Sequence, residues 1–493
     1  MIVVTEDHEK QDSYSGPTIR LPERVARRRR SLSPLPDYEA SQAQYRRDSV
    51  LDEKDTKAWH QTKLWRAVLF LLLTYALLTT VIGVPIIVKK MKGGSGPPPW
   101  NEADFFANQP QFSSGSMINY EGNHPCNVWS SVDYVHSTRP YSATLQVLIP
   151  AIGNVSIRSN ATLENTLPSN VIGTFTAEYD SDITDNNVHM SVTLQTTSKA
   201  LRDSTLICYD DIGADRGLMI FIPRYFENMD SISLDIHVAF PPLTASHRIS
   251  NFNVYLPVFN QVFKDLSQID FQNVYIEGTS RPINVTNIQA PCISVKSMLG
   301  DICGTYNASK SLILDTIRGT INASITLVKA SDHSPPTQLT LDTGDRDINA
   351  QITLVSPGKL SNSPQFAGKV NNFNAEVNIA ISSDPSTPPV PMYFTVLNNL
   401  AKTKVVMDQK FEGTFLTQTK LSTVSVEEGS ENHKYDNLFG SDRPRVVVFD
   451  QPVSDSRASG WVGWGKKPNQ VMDQSHVEVI SSLGPVELNF GPT

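Results

Sequence analysis

Two stretches of the chain decide its fold: Leu312–Val328, LILDTIRGTINASITLV, and Leu339–Val355, LTLDTGDRDINAQITLV. They are identical at 11 of 17 positions and lie 27 residues apart. Within each stretch apolar residues alternate with polar ones, a period of two that is typical of β-strands. The alternation changes parity across a polar turn, as at Arg318-Gly319. Each copy is therefore predicted to form two strands that face one core, joined by a corner or a hairpin.

Weaker copies of this pattern recur along the chain, at Val274–Val285, Ile293–Tyr306 and Val477–Phe490. One copy cannot stand alone, because ordering about 17 residues costs roughly 17 to 34 kcal/mol. Burying about six aliphatic side chains returns only about 9 to 18 kcal/mol. Copies must therefore stack on one another. We predict an all-β domain built as a β-solenoid or stacked β-repeat, with tandem β-sandwiches as the alternative.

The alternating pattern also extends upstream of the repeat. It predicts strands at Thr144–Ile149, Val188–Leu194, Leu218–Ile222 and Ile232–Val238. The single helical pattern in this region is Val258–Leu266, which is about two turns long.

Several motifs resemble one known family. FEGTF at Phe411–Phe415, RVVVFDQP at 445–452 and GWVGWG at Gly460–Gly465 accompany the repeat units. Together they resemble fungal membrane-anchored proteins that carry a putative-adhesin β-solenoid domain, and the resemblance covers roughly Phe252–Phe490. It implies a β-solenoid fold and a cell-surface role in adhesion. The molecular function of that family is largely unassigned, and a fold alone does not give a function.

The turns of this chain depart from the family pattern. Many relatives carry T-S-N-G at the turn, whereas this chain has Ser297-Met-Leu-Gly300, Thr316-Ile-Arg-Gly319 and Ser482-Leu-Gly484. The resemblance therefore depends on the alternating pattern of the strands more than on a fixed turn motif.

An apolar segment near the N-terminus, Ala67–Val88, contains no charged residue. As a helix it spans about 33 Å, enough for a hydrocarbon core of about 30 Å. Six basic residues precede it closely and three lysines follow it, so the positive-inside rule predicts a cytoplasmic N-terminus. These features predict a single-pass type II protein with an uncleaved signal-anchor. Its large domain would be extracellular or lumenal, at the plasma membrane or a secretory-pathway membrane.

Five regions follow from this organisation. They are a disordered cytoplasmic arm (1–63), the transmembrane helix (64–90), a linker (91–115), an N-terminal β-rich part (116–270) and a β-repeat part (271–493). In the arm, arginines precede Ser31, Ser33 and Ser49, which makes these serines candidate phosphorylation sites. Alternatively, the arginines only set the topology and contact anionic lipid.

The large domain is acidic, with 26 basic and 39 acidic residues beyond Lys92. This balance argues against nucleic acid as a partner, which requires a basic surface. Four cysteines, an even number, predict two disulfides in an exported domain, and we favour the pairs Cys126–Cys208 and Cys292–Cys303. Buried free thiols are the alternative.

Five N-x-S/T sequons make candidate N-glycosylation sites. They begin at Asn154, Asn160, Asn284, Asn307 and Asn322. About this number is expected by chance in an Asn-rich domain, so the sequons are compatible with a lumenal face without establishing one.

No sequence pattern indicates catalysis, a cofactor or a metal site. Asp342-Thr343-Gly344 copies the triplet of aspartic proteases, but that chemistry needs a second triplet, and the paired copy has Asp315-Thr316-Ile317. Asp315 and Asp342 are predicted to stack as turn-flanking carboxylates. Trp461 and Trp464 lie among three glycines, where they either stack on sugars or are buried, and we favour burial.

Three functional hypotheses remain. The first is a membrane-anchored, non-enzymatic surface protein that presents a β-repeat domain for adhesion, with the bilayer and a cell-wall glycan or surface protein as partners. The second is a β-helix enzyme acting on wall polysaccharide, which needs carboxylates clustered in a groove. The third is a surface receptor whose arm is phosphorylated.

Overall fold

A computed structural model describes residues 125–135, 137–161, 170–210, 216–223, 226, 229–243, 248–331, 333–356, 364–428, 444–468 and 475–491. The chain divides into two units, Met1–Gly96 and Pro97–Thr493, and every described residue belongs to the second. The described part is almost entirely β-structure, so the all-β prediction is confirmed.

The described chain forms 26 strands and one short helix. The first half comprises β1 Ser131–Tyr134, β2 Tyr141–Pro150, β3 Gly153–Ser159, β4 Val171–Tyr179, β5 Asn187–Thr196, helix α1 Lys199–Ser204, β6 Leu206–Asp210, β7 Arg216–Phe221, β8 Ile232–Phe240, β9 Ile249–Tyr255, β10 Phe259–Asp265, β11 Phe271–Glu277, β12 Ile283–Ser297 and β13 Ile302–Thr316. The second half comprises β14 Ile321–Val328, β15 Thr337–Thr343, β16 Ile348–Val355, β17 Phe366–Asn372, β18 Val377–Ser383, β19 Met392–Asn398, β20 Thr403–Met407, β21 Gly413–Gln418, β22 Val424–Glu428, β23 Arg445–Phe449, β24 Arg457–Trp464, β25 Ser475–Ser481 and β26 Val486–Phe490.

Strand pairing forms two ladders, which we call sheet A and sheet B. Sheet A runs β1-β2-β5-β8-β4-β10-β12-β13-β14-β16-β18-β20-β26-β22, and sheet B runs β6-β7-β3-β9-β11-β12-β13-β15-β17-β19-β25-β21-β24-β23. The long strands β12 and β13 take part in both sheets. From β11 onward, a strand of sheet B, a tight turn and the next strand of sheet A form one unit, which we call a rung. Most rungs pair in parallel with the rung before, which makes this part a β-solenoid.

The two sequence copies stack on each other in register. Leu312 pairs with Leu339 in sheet B, and Ile321 pairs with Ile348 in sheet A. The sequence offset of 27 residues is therefore the structural repeat, and identical residues lie above one another. The turn between the strands is a corner between the two sheets and not a hairpin. The weaker copies form rungs of the same kind.

The core lies between the two sheets and is continuous along the stack. Inward positions of successive strands are aliphatic or aromatic and almost fully buried, as at Ile325, Ile352 and Ile381. Because side chains alternate across a strand, the polar residues between them point outward. The core also continues across the predicted boundary between residues 270 and 271.

A buried polar side chain closes most tight turns. The Gly319 backbone N–H donates to the Thr316 hydroxyl at 3.0 Å, and the Thr343 hydroxyl donates to the Gly319 carbonyl at 2.9 Å. The same sheet B position is occupied by Ser297, Thr316, Thr343, Asn372, Asn398, Ser481 and Thr419, all of them buried. These side chains satisfy turn backbone groups that have no strand partner, and several of them also link neighbouring rungs.

The chain returns from sheet A to sheet B through a second set of corners. At two of these corners a buried lysine donates hydrogen bonds to backbone carbonyls. The Lys410 ammonium donates to the carbonyls of Asp384, Pro385 and Thr387 at 2.7 to 2.9 Å. Lys329 donates to the carbonyls of Ser334 and Pro335. Burial lowers the pKa of Lys410, and Asp408 and Asp384 oppose that shift. These corners vary in length, which explains why the sequence repeat is hard to see at them.

The two ends of the stack differ from its middle. At the N-terminal end sheet A continues into antiparallel strands β8, β5, β2 and β1, and sheet B ends with the antiparallel pair β7–β6. At the C-terminal end the antiparallel pair β24–β23 covers β21. Antiparallel additions of this kind terminate a parallel stack and limit its exposed edges.

The structure contradicts the membrane part of the fold prediction. Among the described residues, none belongs to a helix long and apolar enough to cross a bilayer. The one helix in these ranges, α1, has six residues and rises about 9 Å against the roughly 30 Å that spanning requires. The predicted location at the plasma membrane or a secretory-pathway membrane depended on such a helix, and the same finding contradicts it. The segment Ala67–Val88 itself lies outside the described residues, as do regions 1–63, 64–90 and 91–115.

The predicted helix at Val258–Leu266 is also wrong. Most of it forms β10, which pairs in parallel with β4 and with β12. Phe259 and Phe263 both point into the core, four residues apart, a spacing that fits a helix face and alternate positions of a strand equally well. Pairing on both edges decides for the strand. The upstream strands predicted from Thr144 to Val238 are confirmed as parts of β2, β5, β7 and β8.

Candidate functional site

A groove of about 520 Å³ lies on the outer face of sheet A. Strands β14, β16, β18 and β20 line it with Asn322, Ala323, Ser324, Asn349, Ala350, Gln351, Asn378, Ile379, Ala380, Lys404 and Val406. Its volume falls within the roughly 300 to 1,000 Å³ of typical ligand clefts. We call this feature the sheet A groove.

A row of asparagines crosses the groove. Asn322 pairs with Asn349, and Asn349 pairs with Asn378, on three consecutive parallel strands. The Asn378 amide donates to the Asn349 carbonyl oxygen at 3.1 Å. Strand spacing places these amides about 4.8 Å apart. The row is thus a regular series of hydrogen-bond donors and acceptors.

The groove exists because the repeat places small polar residues outward on adjacent rungs. A second row, parallel to the asparagines, contains Ser324, Gln351 and Ala380, and two of these side chains are small. Asn322, Ser324 and Gln351 are exposed, and the other members of the two rows are half-buried, so solvent reaches both rows. The inward residues between them fill the core, which holds the groove floor rigid.

One end of the groove carries charge. Lys404 continues the asparagine row on β20 and stands beside Glu487 of β26. Glu487 also pairs with Lys402 at 2.7 Å, and this hydrogen bond raises the pKa of Lys402. Among the described residues Lys404 forms no ion pair. The groove therefore offers neutral amides along its length and one cation at its end.

The predicted sequon asparagines occupy different environments. Asn284 and Asn322 are exposed on sheet A, and Asn307, farther along β13, is half-buried. Asn160 uses its whole amide, because its Nδ2 donates to the Ile222 carbonyl and its Oδ1 accepts from the Ile222 N–H. Asn154 accepts from the Asn251 amide at 2.5 Å. Glycosylation of the five sequons stays a prediction, and Asn322 is the one that lies in the groove.

The predicted stacking of Asp315 and Asp342 is confirmed, on the outer face of sheet B. Asp315 lies 3.8 Å from the Lys296 ammonium, and Asp342 accepts from the Asn371 amide at 3.0 Å. Burial raises the pKa of Asp315, Lys296 opposes this shift, and Asp342 adds to it. The sheet A groove does not include these carboxylates. Thr343, beside Asp342, caps a turn, which accounts for the Asp-Thr-Gly triplet.

One of the two predicted disulfides is present. Cys126 and Cys208 are bonded and tie the segment before β1 to β6. The predicted Cys292–Cys303 pair is wrong, because both residues are free thiols. Cys292 points outward from sheet B beside Ser311, whereas Cys303 points outward from sheet A beside Asn322. The two sulfur atoms therefore face away from each other across the core.

Trp461 and Trp464 fall in β24. Trp461 is fully buried, as predicted, whereas Trp464 is half-buried with the Arg445 guanidinium 5.7 Å from its ring. The predicted phosphorylation sites Ser31, Ser33 and Ser49 lie outside the described residues. Within the described ranges no cluster of three His, Cys, Asp or Glu side chains could hold a metal ion.

The inward residues of the repeat do not reveal the groove. The sequence signal for it is that Asn322 and Asn349 occupy the same outward position of the two copies. An outward residue that is the same in both copies has no role in packing the core. Asn378 and Lys404 lie in rungs whose sequences have diverged, so only the register connects them to the row.

Comparison with known proteins gives no family assignment. No family model and no curated protein matches the chain. Among solved structures, a putative adhesin from Parabacteroides merdae is similar over 70% of this chain and 95% of its own, at 10% identity and a TM-score of 0.24. A putative cell adhesion protein from Clostridium sporogenes is similar over 71% and 99%, at 7% identity and a TM-score of 0.15. Scores this low establish neither a shared fold nor a shared function, and the resemblance to fungal proteins stays a prediction.

Proposed function

We propose that this chain is a non-enzymatic adhesion protein whose solenoid binds a neutral surface glycan along the sheet A groove. The observation that carries the proposal is the row Asn322–Asn349–Asn378, three amides in register on the outer face of sheet A. Each amide both donates and accepts a hydrogen bond, which matches the dual character of sugar hydroxyls.

The chemistry of the groove favours a repeating polar polymer. Its binding groups recur at the strand spacing of about 4.8 Å, so a chain with regularly placed hydroxyls meets several equivalent partners at once. Because the binding groups lie on strands that are already ordered, little conformational entropy is lost on binding, and this favours affinity. The lining residues include no aromatic side chain, so recognition would depend on hydrogen bonds rather than on ring stacking.

The charge of the domain favours a neutral partner. An excess of acidic residues repels acidic polymers at long range. Only Lys404 adds positive charge to the groove lining. A neutral wall or surface polysaccharide fits both the amide row and the field around it better than an acidic polymer does.

The same groove makes a prediction about modification. Asn322 begins a sequon, and a glycan attached there would occupy the groove itself. The proposal therefore expects Asn322 to be unmodified in the active protein. Intact-mass and peptide mapping of protein from its own cells would show a fully modified Asn322 if the proposal is wrong.

Filling the groove tests the proposal directly. Ala380→Trp places a large side chain in the groove without removing an amide, and it should reduce binding of the full-length chain to polysaccharides at least tenfold. Ser191→Trp adds the same side chain on β5, an outward position of sheet A remote from the groove, and should leave binding unchanged. A glycan array and wall-polysaccharide pull-down without any signal for the unmodified chain would refute the function.

An enzyme on the same scaffold is the weaker candidate. It would use Asp315 and Asp342, whose carboxylates lie on neighbouring strands of sheet B. Lys296 and Asn371 already engage these two side chains, and the groove with room for a polymer lies on sheet A. An Asp315→Asn variant that bound glycan normally and showed no loss of any hydrolytic activity would support the adhesion proposal.

A further inference from the structure

The rung formed by β25 and β26 lies out of sequence order. In sheet B, β25 pairs with β19 on one side and with β21 on the other. In sheet A, β26 pairs with β20 and with β22 in the same way. A segment that follows β21–β24 in the chain therefore lies between rungs that precede it. We call the space it fills, between rungs β19–β20 and β21–β22, the slot.

The slot holds its segment through both edges and through the core. Val477, Val479, Val486, Leu488 and Phe490 are almost fully buried in it. At its turn, the Leu483 N–H donates to the Asn399 carbonyl at 2.8 Å, and the Lys420 N–H donates to the Ser482 carbonyl at 3.1 Å. The slot therefore recognises a strand–turn–strand segment by three features: parallel strand pairing on both edges, apolar residues at the inward positions and hydrogen bonds to the turn.

The turn of the segment must carry glycine. A Cβ atom built on Gly484 would lie 1.9 Å from the Ala401 carbonyl oxygen. The opposing backbone belongs to the turn of the neighbouring rung and cannot retreat without moving that rung. The slot therefore accepts a segment with glycine at this place and excludes one with a larger residue.

The flanking rungs are able to pair with each other directly. Phe394 and Phe415 both pair with Val477, and Val405 and Val426 both pair with Leu488. Withdrawal of the segment would bring Phe394 to Phe415 and Val405 to Val426, apolar against apolar. The strands β13, β15, β17 and β19 already stack in this sequential way. The flanking rungs therefore present matching apolar residues for a closed arrangement of this end.

The connection to the segment is long enough for it to leave without moving β24. β24 and β25 lie on opposite sides of β21, so their ends are separated by about two strand spacings, or roughly 10 Å. The ten residues 465–474 that join them reach about 33 Å when extended. This connection is thus longer than the gap that it spans.

We infer that the slot is an exchangeable binding site for a strand–turn–strand segment. In the chain it is filled by residues 475–491, and the same segment supplied from another copy can replace them. The inference is independent of glycan binding, because the sheet A groove is lined by β14 to β20 and the slot begins beyond β20.

Exchange is measured with a cut chain. A protease site is placed within 469–474 of the full-length protein, the chain is cleaved, and a fluorescent peptide of residues 475–493 is added under native conditions. We expect the peptide to enter at least tenfold faster than global unfolding, measured by hydrogen exchange of β14 and β16 amides. The rest of the stack should keep its circular dichroism spectrum throughout.

Two variant peptides control for specificity. A Gly484→Val peptide should fail to enter, because of its contact with Ala401. A Glu487→Gln peptide loses only the exposed pair with Lys402 and should enter within a few-fold of the original rate. Entry no faster than global unfolding, equal entry of the Gly484→Val peptide, or unfolding of the whole stack when the segment leaves would each overturn the inference.

Discussion

The middle of the solenoid and its C-terminal end are built by the same local rule but assembled in a different order. From β15 to β20 each strand pairs with the strand two places earlier, so that rungs follow the sequence. At the end, β25 and β26 enter between earlier rungs. Both regions use alternating strands and a polar cap at the turn.

The difference shows what a local pattern determines. It specifies a rung, because period two defines the strands and the capped turn defines the corner. It does not specify which rung lies beside which, because any two rungs present similar apolar faces and similar backbone edges. In the middle, the order of the rungs follows from chain connectivity alone. At the end, the position of the β25–β26 rung depends on its contacts with the two rungs that flank it.

A glycine in the turn offers the strongest test of this contrast. A Cβ atom on Gly319 would lie 2.0 Å from the Gly300 carbonyl oxygen, within the continuous middle of the stack. Gly319→Val should therefore lower the free energy of unfolding by about 3 kcal/mol or more, since overpacking against backbone is poorly relieved.

The matched variant is Gly484→Val, which creates the same clash at the end. It should release β25 and β26 while the middle stays folded, so that hydrogen exchange rises only around the slot. Thermal melting with exchange mapping separates the two outcomes. A uniform loss of protection in both variants would contradict the difference between the regions.

Acid should loosen the end of the stack. His476 on β25 is half-buried against Tyr393 and Thr414, and this desolvation lowers its pKa to about 4. The unfolded histidine titrates near 6.5, so stability from this group is complete above about pH 6.5 and is lost as the pH falls toward 4. The loss amounts to up to about 3 kcal/mol.

Chemical denaturation between pH 7 and pH 4 measures this effect. His476→Gln should flatten the dependence in this window, because a neutral amide gains no proton. His237→Gln, near the N-terminal end of sheet A, should leave the loss in place. An unchanged pH profile in His476→Gln would show that another group is responsible.

The turn caps should contribute less, and more evenly. Thr316→Val removes the acceptor for the Gly319 N–H, and Ser481→Ala removes the acceptor for the Gly484 N–H. Each change leaves a buried turn N–H unpaired and should cost about 1 to 3 kcal/mol. Equilibrium unfolding of both variants checks whether one local rule serves both regions. A cost near zero at either site would show that the cap is dispensable there.

The sequence predicted the rung better than it predicted the stack. The alternating pattern predicts that Leu312, Leu314 and Ile321 face the core, and they are buried. The insertion of β25 and β26 was not predicted, although Val477–Phe490 was recognised as a repeat unit, because nothing local records its neighbours. The Cys292–Cys303 pair failed for a similar reason, since closeness in sequence says nothing about which face each sulfur occupies.

The groove was less accessible to sequence analysis than the fold. Two of the three asparagines in its row, Asn322 and Asn349, are visible in the two sequence copies. Asn378 and Lys404 belong to the row only because their strands pair in parallel register with the strands before them. The corners between these strands vary in length, so the sequence does not reveal that register. Binding sites made of outward residues on several rungs are a property of the stack, and the stack order is the part that a sequence leaves open.

Two matched double variants show whether the amide row on sheet A binds a glycan. Asn349→Ala with Asn378→Ala removes part of the row, while Asn251→Ala with Asn273→Ala removes the corresponding contacts on sheet B, where the Asn273 amide donates to Asn251 at 2.9 Å. Both should alter stability by no more than about 1 kcal/mol, since the pairs are partly exposed. In a titration with the best polysaccharide from the array, we expect the sheet A variant to bind at least tenfold more weakly than the unmodified chain. The sheet B variant should bind as the unmodified chain does. Equal affinities for the two variants would contradict glycan binding by the amide row.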